Sequence, residues 1–255
     1  MKNTERFSDR AEAYRRHRPS YPVAVAALIR DTCGFGPGAP IADIGAGTGL
    51  LTRILLEAGF DVTAVEPNEQ MLEAAIDELR HFPLFRPVAG AAEATGLAEC
   101  SFDAITVAQA FHWFDREAAR VEFERILRPG GWVFVIRNHR LADANPFARD
   151  LENLLNRLVE RYGELPHRNR EARERAIEDF FPAGAVRFAQ FDNPNTLNWE
   201  GLRGRVLSVS YTPTAGQPGH HELFSALEEI FETHARDGRV TFPQVTEVHY
   251  GRLSG

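Results

Sequence analysis

IADIGAGTGL, residues 41–50, runs from a short apolar segment through an aspartate to three glycines at alternate positions. The apolar residues read as a buried strand, and the following LLTRILLEAG as a helix that Gly59 stops. The glycines therefore occupy a strand-to-helix turn. Glycine lets the backbone adopt left-handed dihedrals and lets a ligand approach the main chain closely, so the turn suits a nucleotide-like cofactor. Its spacing is G-x-G-x-G. Leu50 stands where a dinucleotide fingerprint places its third glycine or alanine, and no Lys-Ser or Lys-Thr pair follows as a P-loop requires. Asp43, just ahead of the glycines, would repel a phosphate and welcome a cation.

Outward from this turn the chain alternates strand and helix. YPVAVAALIRDTCG is a predicted helix, with Pro22 in its first turn and Gly34 near its end. DVTAVEP is a second strand, ended by Pro67, and NEQMLEAAIDEL a helix that Asn68 can cap. FRPVAG is a weaker strand, FDAITVAQ an apolar one, DREAARVEFERIL a helix, RPGG a turn and WVFVIRN another strand. Strands joined by single helices imply right-handed crossovers and a parallel sheet covered on both faces. Ligands then bind at the carboxyl ends of the strands, here Asp43 to Gly49, Glu66 to Asn68, Gly90 to Glu93, Gln109 to Phe114 and Arg137 to Arg140.

After Pro146 the rhythm changes. FARDLENLLNRLVERYG and RNREARERAIEDFF are helical with no strand between them. AVRFAQFDN is a strand, two helices follow, and VTFPQVTEVHYGRL reads as one alternating strand. The expected fold is α/β: a doubly wound, mostly parallel seven-stranded sheet with a helical cap and lid, in a single domain over 1–255. Residues 1–34 form the cap, 35–140 the cofactor-binding core, 141–182 a helical lid, and 183–255 the strands and helices that complete the sheet.

A net charge of -7 disfavours a nucleic-acid partner, which needs a basic face. MKNTERFSDRAEAYRRHRP lacks the apolar core of a signal peptide, and no apolar run is long enough to span a membrane, so a soluble cytoplasmic protein is expected. Cys33 and Cys100, the two cysteines, share no short spacing and exclude a disulfide framework or a cysteine-based zinc site. His220 and His221 are adjacent, not spaced as a helical metal pair. No metal is expected.

A cationic, phosphate-free nucleoside satisfies both the glycines and Asp43. S-adenosylmethionine is one, with its ammonium near Asp43 and its methionine part at the helix N-terminus. Glu66, 17 residues after Gly49, can accept both ribose hydroxyls, a role that NAD proteins share. IADIGAGTGLLTRILLEAGFDVTAVEPNEQMLEAA resembles the first half of a class I S-adenosylmethionine-dependent methyltransferase. VAGAAEATGLAECSFDAITVAQAFHWFD resembles that family's next two motifs, and RILRPGGWVFV its fifth strand with the preceding turn, so the likeness covers roughly residues 38–137. The lead-in FSDRAEAYRRHRPSYP resembles the cap of the branch holding trans-aconitate and ubiquinone-biosynthesis methyltransferases. The resemblance implies that Asp43, Gly45, Ala46, Gly47, Thr48 and Gly49 hold the methionine end and Glu66 the ribose. Pro67, Met71, Ala92 and Glu93 would surround the adenine, with Gln109 under the sulfonium. Arg18 would pair with the cofactor carboxylate, with Tyr14 and Tyr21 closing over it. Many relatives carry an acid where this chain has Ala91.

AFHWFD, residues 110–115, should face the transferred methyl. His112 is the candidate base for a hydroxyl or ammonium acceptor, against a purely structural histidine at a strand end. Phe114 can lend an aromatic face to a sulfonium, whereas Trp113 reads better as packing. The Asn/Asp-Pro-Pro-aromatic signature of nucleic-acid amino-methylating enzymes is absent, which points to a small-molecule acceptor. Arg137, His139, Arg140, Arg168 and Arg170 can form a positive rim for an acidic one, although the last two suit a solvated helix face. Ser208, Ser210 and Tyr211 can line the pocket or sit on a helix. Two other readings stand beside this one: an NAD-linked oxidoreductase, and a cofactor-binding module without catalysis. The acceptor, its reacting atom and the oligomeric state are not encoded legibly.

Overall fold

The computed structural model describes residues 19–159, 170–208 and 212–254. The elements run α1 (Ala24–Cys33), β1 (Pro40–Ile44), α2 (Leu50–Glu57), β2 (Asp61–Glu66), α3 (Glu69–Leu79), β3 (Phe85–Ala89), β4 (Phe102–Ala108), α4 (Arg116–Ile126) and β5 (Leu127–Arg140). There follow α5 (Pro146–Leu158), α6 (Arg170–Glu178), β6 (Arg187–Asp192), β7 (Asn195–Leu197), α7 (Trp199–Leu207), α8 (His220–His234), β8 (Val240–Phe242) and β9 (Gln244–Gly251). Capping residues set several boundaries. Asn68 accepts from the Met71 N–H at 3.0 Å, Asp115 from Ala118 at 3.2 Å, and Asn145 from Ala148 at 2.7 Å, while Gly34 ends α1 in a left-handed conformation.

The main sheet has seven strands in the order β3-β2-β1-β4-β5-β9-β6. β3 through β5 are mutually parallel, and β9 runs antiparallel between β5 and β6. From β1 the chain winds outward through β2 and β3, then returns to place β4 and β5 on the other side. The winding reverses between β1 and β4, so a crevice opens there at the strand carboxyl ends.

The two faces carry separate cores. On one, Ile44, Val65, Ile105, Val107, Val133 and Val135 meet Phe123 and Ile126 of α4 and Ile177, Phe180 and Phe181 from the α6 segment. On the other, Ile41, Val62, Phe134 and Ile136 meet Val25 and Ile29 of α1 and Leu51, Ile54 and Leu55 of α2. Burying each such side chain contributes about 1.5–3 kcal/mol, which makes these two layers the main source of stability. A third cluster stands apart: Phe147, Leu151 and Leu155 of α5 pack with Leu202 and Val206 of α7, Leu223 and Leu227 of α8, and Phe242 of β8.

Four features differ from the sequence expectation. VTFPQVTEVHYGRL is two strands, because Pro243 has no N–H to give a ladder. β8 pairs with the unanticipated β7 in a small second sheet, whereas β9 joins the main one. β9 does not alternate either; its first five residues are all buried, since β5 and β6 flank it and side chains cover both faces. The RPGG turn falls within the span of β5, where the pairing with β4 jumps from Phe102↔Leu127 to Ala104↔Trp132 and Gly130 takes a positive φ of 78°. Finally, 141–182 does not pack as one lid: α5 joins the third cluster, while Ile177, Phe180 and Phe181 belong to the sheet core.

Candidate functional site

The glycine turn bridges β1 and α2 beneath the crevice. The Gly45 and Ala46 N–H groups both donate to Val65 O, at 2.8 and 3.1 Å, which ties the turn to β2. Gly45, Gly47 and Gly49 have φ of 69°, 58° and 80°, values that strain any residue with a Cβ. Their surroundings separate their roles. A Cβ at Gly45 would lie 2.5 Å from the Ala110 methyl, and one at Gly49 would lie 2.6 Å from Leu79 Cδ1. A Cβ at Gly47 would meet nothing within 4 Å. Two glycines thus serve close packing, and the middle one faces open space where a ligand can reach the backbone. Gly49 is also the N-cap of α2 and offers no side-chain cap, so the first N–H groups of this helix point toward the turn. The Thr48 hydroxyl is buried and has no hydrogen-bond partner.

Asp43 does not stand at the mouth of the turn. It is 1% exposed and points inward: Oδ2 accepts from the Thr52 hydroxyl at 2.6 Å, and Oδ1 from the Thr106 hydroxyl at 2.9 Å. Burial pushes its pKa up to about 6, with these hydroxyls and the Thr52 N–H pulling it partly back. Its carboxylate fastens α2 and β4 to β1, and any cation above the turn would feel it across a layer of backbone.

Glu66, at the end of β2, is the acid beside the open space. Oε2 accepts from the Gly47 N–H at 2.8 Å and Oε1 from the Asn68 N–H at 3.0 Å. Burial raises its pKa, the two N–H groups oppose that, and Asp43 adds a smaller upward push. Of the adenine-side candidates, Pro67 is exposed and Met71 is buried at the start of α3. Ala92 lies in the core cluster and offers no polar atom of its side chain. Glu93 is half-buried and accepts from the Asp115 N–H at 2.8 Å, so it helps to set the start of α4. The turn that carries Ala92 and Glu93 is held by Glu122 of α4, which accepts from the Thr95 N–H at 3.0 Å and pairs with Arg125 at 2.7 Å. The Arg125 guanidinium, helped by Thr95, brings Glu122 down to about 2.

Past β4, Gln109 adopts φ 59°, rare for a residue with a side chain and typical of functional sites. Its N–H donates to Ile136 O and its amide to Asn138 O, both at 3.0 Å. His112 and Trp113 sit on a short 3₁₀ turn with their rings 4.7 Å apart. Trp113 was expected to pack but is 37% exposed. Phe114 is half-buried, and its ring lies 3.5 Å from where a Gly45 Cβ would stand, against the glycine turn. Tyr21, expected to close over the cofactor, is 9% exposed and packs in the core under α1, because Ile41, Val248 and their neighbours form an apolar bed there. Tyr14, Arg18, Arg168, Ser210 and Tyr211 lie outside the described residues, as does the side chain of Arg170.

Arg137 leaves β5 half-buried on the face of Val133 and Val135, and its Nη1 is buried without a hydrogen-bond partner. Directly across on β9 stands Glu247, 2% exposed, which sequence reading missed because nothing in VTEVHY marks it. Also missed was a polar knot: Asn138 Oδ1 accepts from Thr246 and Asn193, while Asn138 and Asn193 both donate to Ser20 O. The knot pins Ser20 to the carboxyl ends of β5 and β6 and the amino end of β9. Ser208 is buried, and its hydroxyl donates to Arg205 O at 2.8 Å. Among the described residues no group of three or more His, Cys, Asp or Glu could hold a metal, and no helix is long and apolar enough to cross a membrane.

A glycine turn at the switch point, with an acid at the end of the next strand, fits several cofactor families. Residues 42–135 match the family described as methyltransferase domain. An uncharacterized methyltransferase of Mycobacterium tuberculosis (strain ATCC 25618 / H37Rv) is 33% identical over 94% of this chain and 92% of its own length. The chain belongs to the methyltransferase family. A second methyltransferase-like relative, from Schizosaccharomyces pombe, is 28% identical over 86% of this chain and 83% of its own. Among solved structures, a putative type II methyltransferase from Anaeromyxobacter dehalogenans aligns with a TM-score of 0.66 at 25% identity, covering 93% of this chain and 98% of that one. The seven-stranded methyltransferase sheet is thereby shared along nearly the whole chain. These relatives do not select the trans-aconitate or ubiquinone-biosynthesis branch.

Proposed function

We propose that this methyltransferase uses S-adenosylmethionine to methylate a small, acidic acceptor in the cytoplasm. The observation that carries the reading is the open space over Gly47 beside the Glu66 carboxylate. The donor set fits the cofactor. The uncapped start of α2 and the orphaned Thr48 hydroxyl suit the methionine carboxylate and ammonium, and Glu66 suits the ribose hydroxyls. Pro67 and Met71 would flank the adenine on one side, with Glu93 and the backbone around Ala92 on the other. When bound, the cofactor supplies a methyl on a positively charged sulfur, an electrophile with a good leaving group.

The chain's own residues do the rest. Phe114 excludes water beside the glycine turn and offers its ring to positive charge. Gln109 holds the end of β4 against β5 and so fixes the height of the floor. Arg137, with a buried Nη1 that lacks a partner, would anchor an anionic group of the acceptor and hold the reacting atom in line. His112, exposed on the 3₁₀ turn after β4, would take a proton from a hydroxyl or ammonium acceptor. A carboxylate acceptor would need no such step.

Calorimetric titration with S-adenosylhomocysteine and, separately, NAD tests the cofactor. Micromolar binding of the first alone is expected, weakened about tenfold or more in Glu66→Ala. Binding of NAD alone would overturn the proposal in favour of an oxidoreductase. If S-adenosylhomocysteine binds, a screen of carboxylate-bearing acceptors should give turnover that Arg137→Gln slows through a raised KM. Turnover of neutral acceptors only would remove the acidic part of the reading.

A further inference from the structure

At the opposite end of the sheet, Trp132, Arg187 and Arg252 meet near the start of β5. The Arg187 guanidinium carbon is 5.2 Å from the Trp132 ring centroid, and that of Arg252 is 4.8 Å from the same centroid. The two cations are therefore no more than about 10 Å apart, close to the screening length of physiological salt. Neither has an acidic partner among the described residues, in a chain whose net charge is -7. Among the described residues, the acid and the thiol that share this neighbourhood with Arg252 supply no free negative charge. Asp103 is held by Arg128 at 2.8 Å, and burial pushes the Cys33 thiol up to about 12. Both arginines are exposed and line a cleft of about 390 Å³, with Pro182, Ala185 and Ser254 completing its wall.

Cation–π contact holds each guanidinium against the ring and reduces the side-chain freedom lost on binding. Guanidinium forks match the oxygens of phosphate bidentately, and an oxyanion between two of them would relieve their mutual repulsion. The apolar wall adds room for the body that bears the charge, and the cleft volume lies in the range of small-ligand sites. We infer that this cleft is a second binding site, for a small phosphate monoester gripped between Arg187 and Arg252. It is separated from Arg137 by five residues of β5, about 17 Å along the strand, and does not depend on the methyltransferase reading.

The test is calorimetric titration of the full chain with phenyl phosphate at low salt, beside Arg187→Gln, Arg252→Gln and Arg187→Lys. Wild type should bind with a Kd below about 1 mM, and each glutamine variant should bind at least about tenfold more weakly. Arg187→Lys keeps the charge but loses the fork, so it too should weaken binding, and melting curves would show that all three are folded. Arg137→Gln should leave the titration unchanged. No binding to wild type would overturn the inference. So would binding that only Arg137→Gln abolishes, because the phosphate would then be occupying the acceptor side.

Discussion

The Gly47 N–H donates to Glu66 Oε2 at 2.8 Å, so the acid that ends β2 also fixes the glycine turn after β1. Its other oxygen takes the Asn68 N–H at 3.0 Å, at the start of α3. One carboxylate therefore sets the position of two loops. Glu66→Gln keeps the shape but turns an amide donor toward one of those N–H groups. Removing a charge-assisted bond costs about 1.5–3 kcal/mol. Calorimetry should show at least a tenfold loss of S-adenosylhomocysteine affinity, and thermal melting a lowered Tm. Unchanged affinity would separate Glu66 from the cofactor.

The three glycines should respond differently to alanine. Gly45→Ala and Gly49→Ala each bring a methyl to about 2.5 Å from a neighbouring carbon, and should unfold the turn or destabilise the protein by several kcal/mol. Gly47→Ala meets no neighbour and should lose only the roughly 1–2 kcal/mol of a strained φ. Its cofactor affinity should nonetheless fall most relative to its stability. Urea unfolding and calorimetry on the same three proteins give the comparison, and equal losses at all three would contradict it.

Asp43 makes stability depend on pH. Its folded pKa of about 6 lies above the unfolded value of 3.8, so protonation favours the folded state. Its effect is most favourable below about pH 4, is lost as pH rises toward 6, and is flat beyond; the window is worth about 3 kcal/mol. In Asp43→Asn this dependence is gone. The stability of wild type minus that of the variant should therefore fall between pH 4 and pH 7. Parallel urea-unfolding profiles for the two proteins would show that burial does not raise this group.

Glu122 has the opposite sign. Arg125 holds it near 2, below the unfolded 4.5, so its contribution is present above about pH 4.5 and is lost as pH falls toward 2. The half-exposed Arg125 is screened by water, which leaves about 1–2 kcal/mol. Glu122→Gln should flatten the acid limb of the stability profile and loosen the turn that carries Glu93. Hydrogen exchange at Thr95, whose N–H bonds to Glu122, reports that loosening directly.

The core of the fold was legible because its signals are local. Apolar runs, the cap at Asn68, and glycines forced to positive φ all act within a few residues. The direction of Asp43 was not, since its partners Thr52 and Thr106 come from another helix and another strand. Tyr21 and Trp113 illustrate the same limit. An aromatic side chain reads alike whether it packs or faces solvent, and only the tertiary neighbours decide. Glu247 opposite Arg137 is a matter of strand register across more than a hundred residues, which no short window contains. Pro243 stands in plain view, but the alternating pattern around it concealed both the split and the membership of the two halves in different sheets.

That split shapes the mechanics of the molecule. The chain leaves the large sheet after β5 at Leu141, whose N–H donates to Pro243 O at 3.0 Å. It leaves again after β6 at Asn193, whose N–H donates to Gln244 O at 3.0 Å, and its last return is through those same two residues. Among the described residues, three crossings between the sheet and the α5–α7–α8 cluster thus meet at one knuckle. Two backbone bonds, Leu141 to Pro243 and Asn193 to Gln244, fasten one end of that cluster's chain to the edge where β5, β9 and β6 lie side by side.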